Sequence, residues 1–276
     1  MSGSPTEPGP FSDLPIHVAD TGEGEITVLL HSSGMSGDQW KRTAEHLVRR
    51  GYRALVPDLL GSGRNAPWLD GKPFSFHDDL AIVTRLLQLA PRPVHLVGHS
   101  YGGLVALRAA ALDPARVRSI ALYDPVALGV LDPELAADAE GLSQLSHLRF
   151  GWGETEAEHE AFLERFVNYW GGEGAWPRLR EPARAEFRRI GWIVHEGARS
   201  LTLETTGADA YRALRIPALF VTGEHSPPAA QRVVAHLGEA VPGARVERIA
   251  GAGHMGPLTH GKQLNELLSA HLAAAV

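Results

Sequence analysis

Cysteine is absent from this chain of 276 residues, which excludes a disulfide framework, a thiolate metal site and a thiol nucleophile. No run of roughly 18 uninterrupted apolar residues occurs either, so no membrane-spanning helix is expected. Basic residues form no block. With 26 Lys and Arg against 32 Asp and Glu the net charge is −6, a balance that favours neither nucleic acid nor an anionic membrane surface. Residues 1–13, MSGSPTEPGPFSD, lack the basic and apolar regions of a secretory signal. They read as a disordered leader, and a cytoplasmic location is expected. Metal-ligand spacing of the H-E-x-x-H type is missing too. Gly61-Ser62-Gly63 precedes Arg64 and Pro67 rather than a helix start, so it reads as a turn and not a dinucleotide loop. No metal and no cofactor is expected, and the expected partner is a small-molecule substrate.

What is present is an ordinary globular composition, 44% hydrophobic and 21% charged, in a chain long enough to build one large core. Short apolar runs alternate with amphipathic stretches, the pattern of a mostly parallel sheet flanked by helices. Strands are expected at 26–31, 52–57, 94–98, 117–123, 218–223 and 245–250, with 16–22 as an antiparallel edge strand. Helices are expected from Trp40 to Val48, over 77–89, from Leu104 to Leu112, over 229–240 and over 261–273. Between 126 and 206 the strand pattern stops. There helical faces and large rings dominate, among them Phe150, Trp152, Phe162, Phe166, Tyr169, Trp170, Trp176, Phe187 and Trp192. A small helical insertion needs such side chains for a core of its own, and a lid over a substrate pocket would present some of them inward. The expected organisation is a core at 14–125 and 207–276 with a helical lid at 126–206.

The most informative stretch is Gly98-His99-Ser100-Tyr101-Gly102, directly after the apolar run Val94 to Val97 and before a helical run. Serine between two glycines at a strand-to-helix turn is the pattern of a nucleophile elbow, in which the turn leaves Oγ exposed at its tip. A serine hydroxyl is a weak nucleophile and needs a base. Of fourteen histidines, His95 falls inside a strand, His99 is the elbow spacer, and His46, His159, His236 and His271 fit helix surfaces. His254 alone combines late chain order with a glycine-rich loop between a strand and the last helix.

GHSYGG at 98–103, His31-Ser32-Ser33-Gly34 with Trp40, PDLLGSGR at 57–64 and GAGHMGP at 251–257 occur in the order typical of α/β-hydrolase-fold serine hydrolases. The chain resembles that family over nearly all its length except the leader and the insertion. The resemblance implies an α/β-hydrolase fold, Ser100 as nucleophile, His254 as base, and His31 as a buttress of the oxyanion loop. Many relatives carry the acid as G-x-x-Asp after the strand now at 218–222. Here that pattern reads Gly223-Glu224-His225-Ser226, and serine cannot stabilise an imidazolium as a carboxylate does. A second solution in the family places the acid after the strand that follows the elbow helix, the sixth of the family's sheet, where this chain has Asp124. Asp124 is the first choice and Glu224 the alternative. Asp124 before Pro125 also fits a plain turn cap. For the oxyanion, the backbone amides of Tyr101 and Ser33 are the expected donors. Trp152, Tyr169, Trp170, Trp192 and His195 are the candidate pocket residues.

These residues describe an esterase-like enzyme that cleaves an ester, thioester or lactone of a largely apolar small molecule through an acyl-enzyme. The same triad also serves acyl transfer or hydrolysis of a C–C bond beside a ketone. A lyase or cyclase using His254 as general base, and a binding module on a hydrolase scaffold, are the readings from other classes.

Overall fold

The computed structural model describes residues 11, 13–146 and 152–275. Seven strands form one sheet in the order β1-β3-β2-β4-β5-β6-β7: β1 Val18–Thr21, β2 Glu25–Leu30, β3 Tyr52–Pro57, β4 Val94–His99, β5 Val117–Tyr123, β6 Ala218–Gly223 and β7 Arg245–Ile249. β1 pairs antiparallel with β3 and every other pairing is parallel. Asp124 therefore follows the fifth strand among the described residues rather than a sixth.

The central strands read as unbroken apolar runs because both faces of the sheet are covered. Alternate residues point to opposite sides. Val28, Leu96, Ile120, Leu122 and Phe220 face one core, while Leu29, Val97, Ala121, Leu219 and Val221 face the other. The first core is closed by α2 Phe76–Leu89, α3 Tyr101–Leu112 and α9 Pro228–Ala240, the second by α1 Lys41–Val48 and α11 Gly261–Ala274, which follows the short α10 Gly256–Thr259. Helix starts carry their signals. Ser75 and Asp78 form a reciprocal capping box at α2, which satisfies two otherwise orphaned amides.

Between β5 and β6 come α4 Ala136–Ser146, α5 Glu156–Gly171, α6 Ala175–Arg178, α7 Glu181–Arg189 and α8 Gly191–Thr202, with no strand among the described residues. Thr155 and Glu158 cap α5 as Ser75 and Asp78 cap α2. Phe150, one of the rings singled out in this stretch, lies outside the described residues. So do most of the residues expected as a leader, but Phe11 is buried in the first core, with the Arg53 guanidinium 5.8 Å from its ring centroid. The packed chain thus includes residues expected to be loose. Among the described residues no helix is long and apolar enough to cross a membrane.

The turn between β4 and α3 is tight. Ser100 has φ 54° and ψ −116°, a conformation that a side chain adopts only when its surroundings impose it. The flanking glycines make this possible by removing atoms. A Cβ on Gly102 would lie 2.5 Å from the carbonyl oxygens of both Leu30 and His31, and one on Gly98 would lie 2.6 Å from Gly102 O. The expected result for Gly102→Ala is a loss of about 1–3 kcal/mol or more, the usual cost of overpacking against rigid backbone. Gly261→Ala, where a Cβ meets nothing within 4 Å, should unfold at or slightly above the parent's midpoint. Equal urea midpoints for both variants would contradict this account of the turn.

Candidate active site

The carboxyl ends of β4 and β5 and the loop after β7 bring together side chains far apart in sequence. Ser100 Oγ lies 2.9 Å from His254 Nε2, and His254 Nδ1 lies 3.1 Å from Asp124 Oδ2. All three residues are buried. With Nδ1 against a carboxylate, the neutral imidazole keeps its proton there, and Nε2 is left to accept the Ser100 hydroxyl proton.

Asp124 sits in the left-handed region at φ 43°, which aspartate tolerates better than most residues. Its amide donates to Val221 O at 2.8 Å, so the bend is tied to β6. Two hydroxyls then fix the carboxylate: Thr222 Oγ1 donates to Oδ1 at 2.6 Å and Ser226 Oγ donates to Oδ2 at 2.5 Å. Ser226 thus occupies the place where the G-x-x-Asp pattern carries its acid, and from there it orients the carboxylate supplied by Asp124. Glu224 is not part of the cluster. It is exposed and accepts from the Gly251 amide at 2.8 Å, a bond that holds its carboxyl below the usual range. It stands two residues before the acid position of the turn after β6 and turns to the Gly251 amide instead of His254.

The His254 loop is anchored from below. Tyr123 Oη donates to Gly253 O at 2.7 Å, and a Cβ at Gly256 would lie 2.0 Å from the Tyr123 phenol oxygen, so the phenol occupies the space a larger residue would need.

A chain of neutral groups runs beneath the site. Leu59 N–H donates to His31 Nε2 at 2.9 Å, so the His31 proton resides on Nδ1 and is donated to Ser32 O at 2.8 Å. The Ser32 amide and hydroxyl both donate to Gln39 Oε1, at 3.0 and 2.9 Å. Gln39 Nε2 donates to His99 Nδ1 at 3.0 Å, and His99 Nε2–H donates to the His254 carbonyl at 2.8 Å. Burial lowers the pKa of His31 and drives that of His99 well down, so both rings stay neutral. His31 braces the loop as expected. Gln39 and the structural use of His99 were not legible from spacing, because their partners lie far along the chain.

The Tyr101 amide opens α3 directly behind Ser100. The Tyr101 hydroxyl donates to Asp79 Oδ2 at 2.7 Å, and the Leu60 amide donates to Asp79 Oδ1 at 2.9 Å. Ser32 commits its amide to Gln39, while Ser33 borders the cavity beside Ser100.

That cavity has a volume of about 560 Å³ and is lined by Ser100 and His254 together with Phe166, Val167, Trp170, Leu179, Phe187, Met35 and Leu258. Arg178 stands at it as well, as does Glu186, which is paired with Arg189 at 2.6 Å. Of the pocket residues expected from sequence, Trp170 lines this cavity. Tyr169 lines a more open neighbouring groove of about 840 Å³. Trp152, Trp192 and His195 are corrections. They pack on one another, Trp152 and His195 also on Phe162, with ring centroids 5.1–6.2 Å apart, and none of them lines the cavity at Ser100. Phe166, Val167 and Trp170 recur at helical spacing on α5, a signal that could have singled out this face.

The alpha/beta hydrolase family matches the chain over residues 27–267. The 2-hydroxy-6-oxononadienedioate/2-hydroxy-6-oxononatrienedioate hydrolase of Cupriavidus pinatubonensis is 34% identical over 143 residues, 50% of this chain and 48% of that protein. The pimeloyl-[acyl-carrier protein] methyl ester esterase of Aliivibrio fischeri is 35% identical over 106 residues, 38% of each chain. The chain thus spans half or less of the length of these curated relatives. A thermophilic esterase from Thermogutta terrifontis superposes with a TM-score of 0.70 at 22% identity, covering 94% of this chain and 93% of that one, a likeness of fold. The family match takes in the elbow, the Asp124 bend and the His254 loop, and on it the chain belongs to the alpha/beta hydrolase family.

Proposed function

We propose that this protein is a serine hydrolase that cleaves an ester, thioester or lactone of a largely apolar small molecule. The observation that carries the reading is the continuous contact of Ser100 Oγ, His254 and Asp124, at 2.9 and 3.1 Å, on the wall of a largely apolar cavity. Ser100 Oγ attacks the substrate carbonyl while His254 Nε2 takes its proton, and Asp124 steadies the imidazolium that forms. The negative charge on the carbonyl oxygen is met by the amides of Tyr101 and Ser33. Collapse of the adduct breaks the bond to the leaving group, which receives the proton from His254. Water, deprotonated by His254, then attacks the acyl-enzyme and releases the acid, restoring Ser100 Oγ–H. In this reading the segment 126–206 is a lid, since α5, α6 and α7 supply the far wall of the cavity.

The relatives support a hydrolase, and their names span different substrates. One of them acts on a 6-oxo dienedioate, which favours cleavage of a C–C bond beside a ketone as the second reading. The test is intact-mass analysis after exposure to a fluorophosphonate. One adduct on the parent and none on Ser100→Ala is the expected result. Labelling of neither protein would overturn the proposed mechanism, and turnover of a vinylogous 1,5-diketone with no turnover of p-nitrophenyl esters would replace it by the second reading.

A further inference from the structure

His254 is covered from the insertion by a ring that no step of the proposed reaction uses. The Trp170 indole, near the end of α5, lies with its centroid 4.4 Å from that of the His254 imidazole and its plane inclined by 34°. On another side His99 lies 4.9 Å away at 46°. Trp170 borders both the inner cavity and the outer groove, as His254 does, so the indole lies against the imidazole where the two spaces meet. α5 stops directly after it, at Gly172 with φ 91°.

We propose that Trp170 is a positioning residue that joins the helical insertion to the catalytic base: its indole fixes the tilt of the His254 ring and stabilises the imidazolium formed during acyl transfer. The proposal rests on the reading of His254 as the base. An aromatic face attracts a cation placed over it, and tryptophan does so best. The imidazole is neutral when Ser100 is at rest and positive when the tetrahedral adduct forms, so this attraction is gained on the way to the transition state, where it accelerates the step.

Of the other groups around the imidazole, Asp124 steadies the imidazolium from the Nδ1 side and leaves the ring face to the indole, while His99 is kept neutral by burial. Tyr123 donates its hydroxyl to the Gly253 carbonyl. Arg165, Glu173, His225 and His260 border the outer groove, which His254 lines as well. Arg178 and Glu186 border the inner cavity.

The test uses Trp170→Leu, which keeps an apolar cover and removes the π face, and Trp170→Phe, which keeps a weaker one. With p-nitrophenyl butyrate, kcat/KM should fall about 3- to 30-fold in Trp170→Leu and less in Trp170→Phe. The acidic limb of its pH profile should move to lower pH, because the unsupported imidazolium gives up its proton more readily. A second readout needs no turnover. Protonated imidazole in contact with indole quenches its emission, so the parent-minus-Trp170→Phe fluorescence difference should fall as pH drops from about 8 to about 5. Trp152, which stacks on His159 at 4.1 Å, contributes equally to both proteins and cancels. The same difference taken in a His254→Gln background should be flat. Parent-level kcat/KM in Trp170→Leu, or a difference signal that is flat in the parent background or survives His254→Gln, overturns the proposal. Absence of a fluorophosphonate adduct on Ser100 would instead overturn the reading of the site itself, and this proposal with it.

Discussion

Asp124→Asn lowers turnover by about 10⁴-fold, the loss typical when the group orienting a catalytic imidazole is neutralised, and Glu224→Gln leaves turnover at the parent level. The size of the first effect follows from what surrounds the carboxylate. Asp124 Oδ2 faces His254 Nδ1 at 3.1 Å and also receives the Ser226 hydroxyl, while Oδ1 receives Thr222 Oγ1 at 2.6 Å. All of these neighbours donate. An asparagine amide must turn its NH₂ toward one side. Toward His254 it would stabilise the tautomer with the proton on Nε2, which cannot accept from Ser100. Toward Thr222, whose hydroxyl can rotate to accept it, it would leave His254 facing a neutral carbonyl oxygen, which stabilises an imidazolium far less than the carboxylate does. Glu224 has neither burial nor contact with the imidazole. Steady-state rates on one activated ester decide between the two. Near-parent turnover in Asp124→Asn, or loss in Glu224→Gln, would return the acid to the turn after β6.

The same comparison shows where sequence reasoning reaches. Strand positions were legible because a buried parallel sheet leaves apolar runs between glycine and proline stops, and β2 through β6 fall on such runs, while the edge strand β7 is charged and largely exposed. Ser100 and His254 were legible because tight turns leave glycines around them. Asp124 could be reached only as a choice between two carboxylates, since spacing does not say which side of a turn a side chain takes. The sequence also could not tell that Ser226 points at Asp124, nor that Gln39 links Ser32 to His99. The pocket was the least legible part. Trp152, Trp192 and His195 are as large and aromatic as Trp170, yet they pack on one another, while the cavity takes aliphatic residues such as Val167 and Leu179. Ring content marks a need for core, and which rings face Ser100 depends on how α5 is rotated.

Asp79→Asn makes the protein more stable at alkaline pH and leaves it little changed under acid. Asp79 is buried against the Leu60 amide and the Tyr101 hydroxyl, and burial raises its pKa from 3.8 to about 7. Between those values the folded protein holds a proton that the unfolded chain has released. The native state therefore binds more protons, and stability falls as pH rises, until above about pH 7 the loss is complete. Roughly three pKa units at 1.36 kcal/mol each set a ceiling of about 4 kcal/mol. Asparagine never ionises and, like the protonated carboxyl, presents one acceptor and one donor side: its carbonyl oxygen accepts from the Leu60 amide and its NH₂ faces the Tyr101 oxygen, reversing the bond that Tyr101 donates to the carboxylate. The buried histidines act in the opposite sense. His31 and His99 have lowered pKa values, so the stability they contribute is present above about 6.5 and is lost as pH falls through their folded values. Because that loss is common to parent and variant, the difference between them isolates Asp79. From about pH 5 to about pH 9, urea unfolding should show the parent losing about 2–3 kcal/mol more than Asp79→Asn. Parallel pH curves for the two proteins would mean that Asp79 is ionised at little cost in the fold, and that the hydrogen bonds from Tyr101 and Leu60 offset its burial.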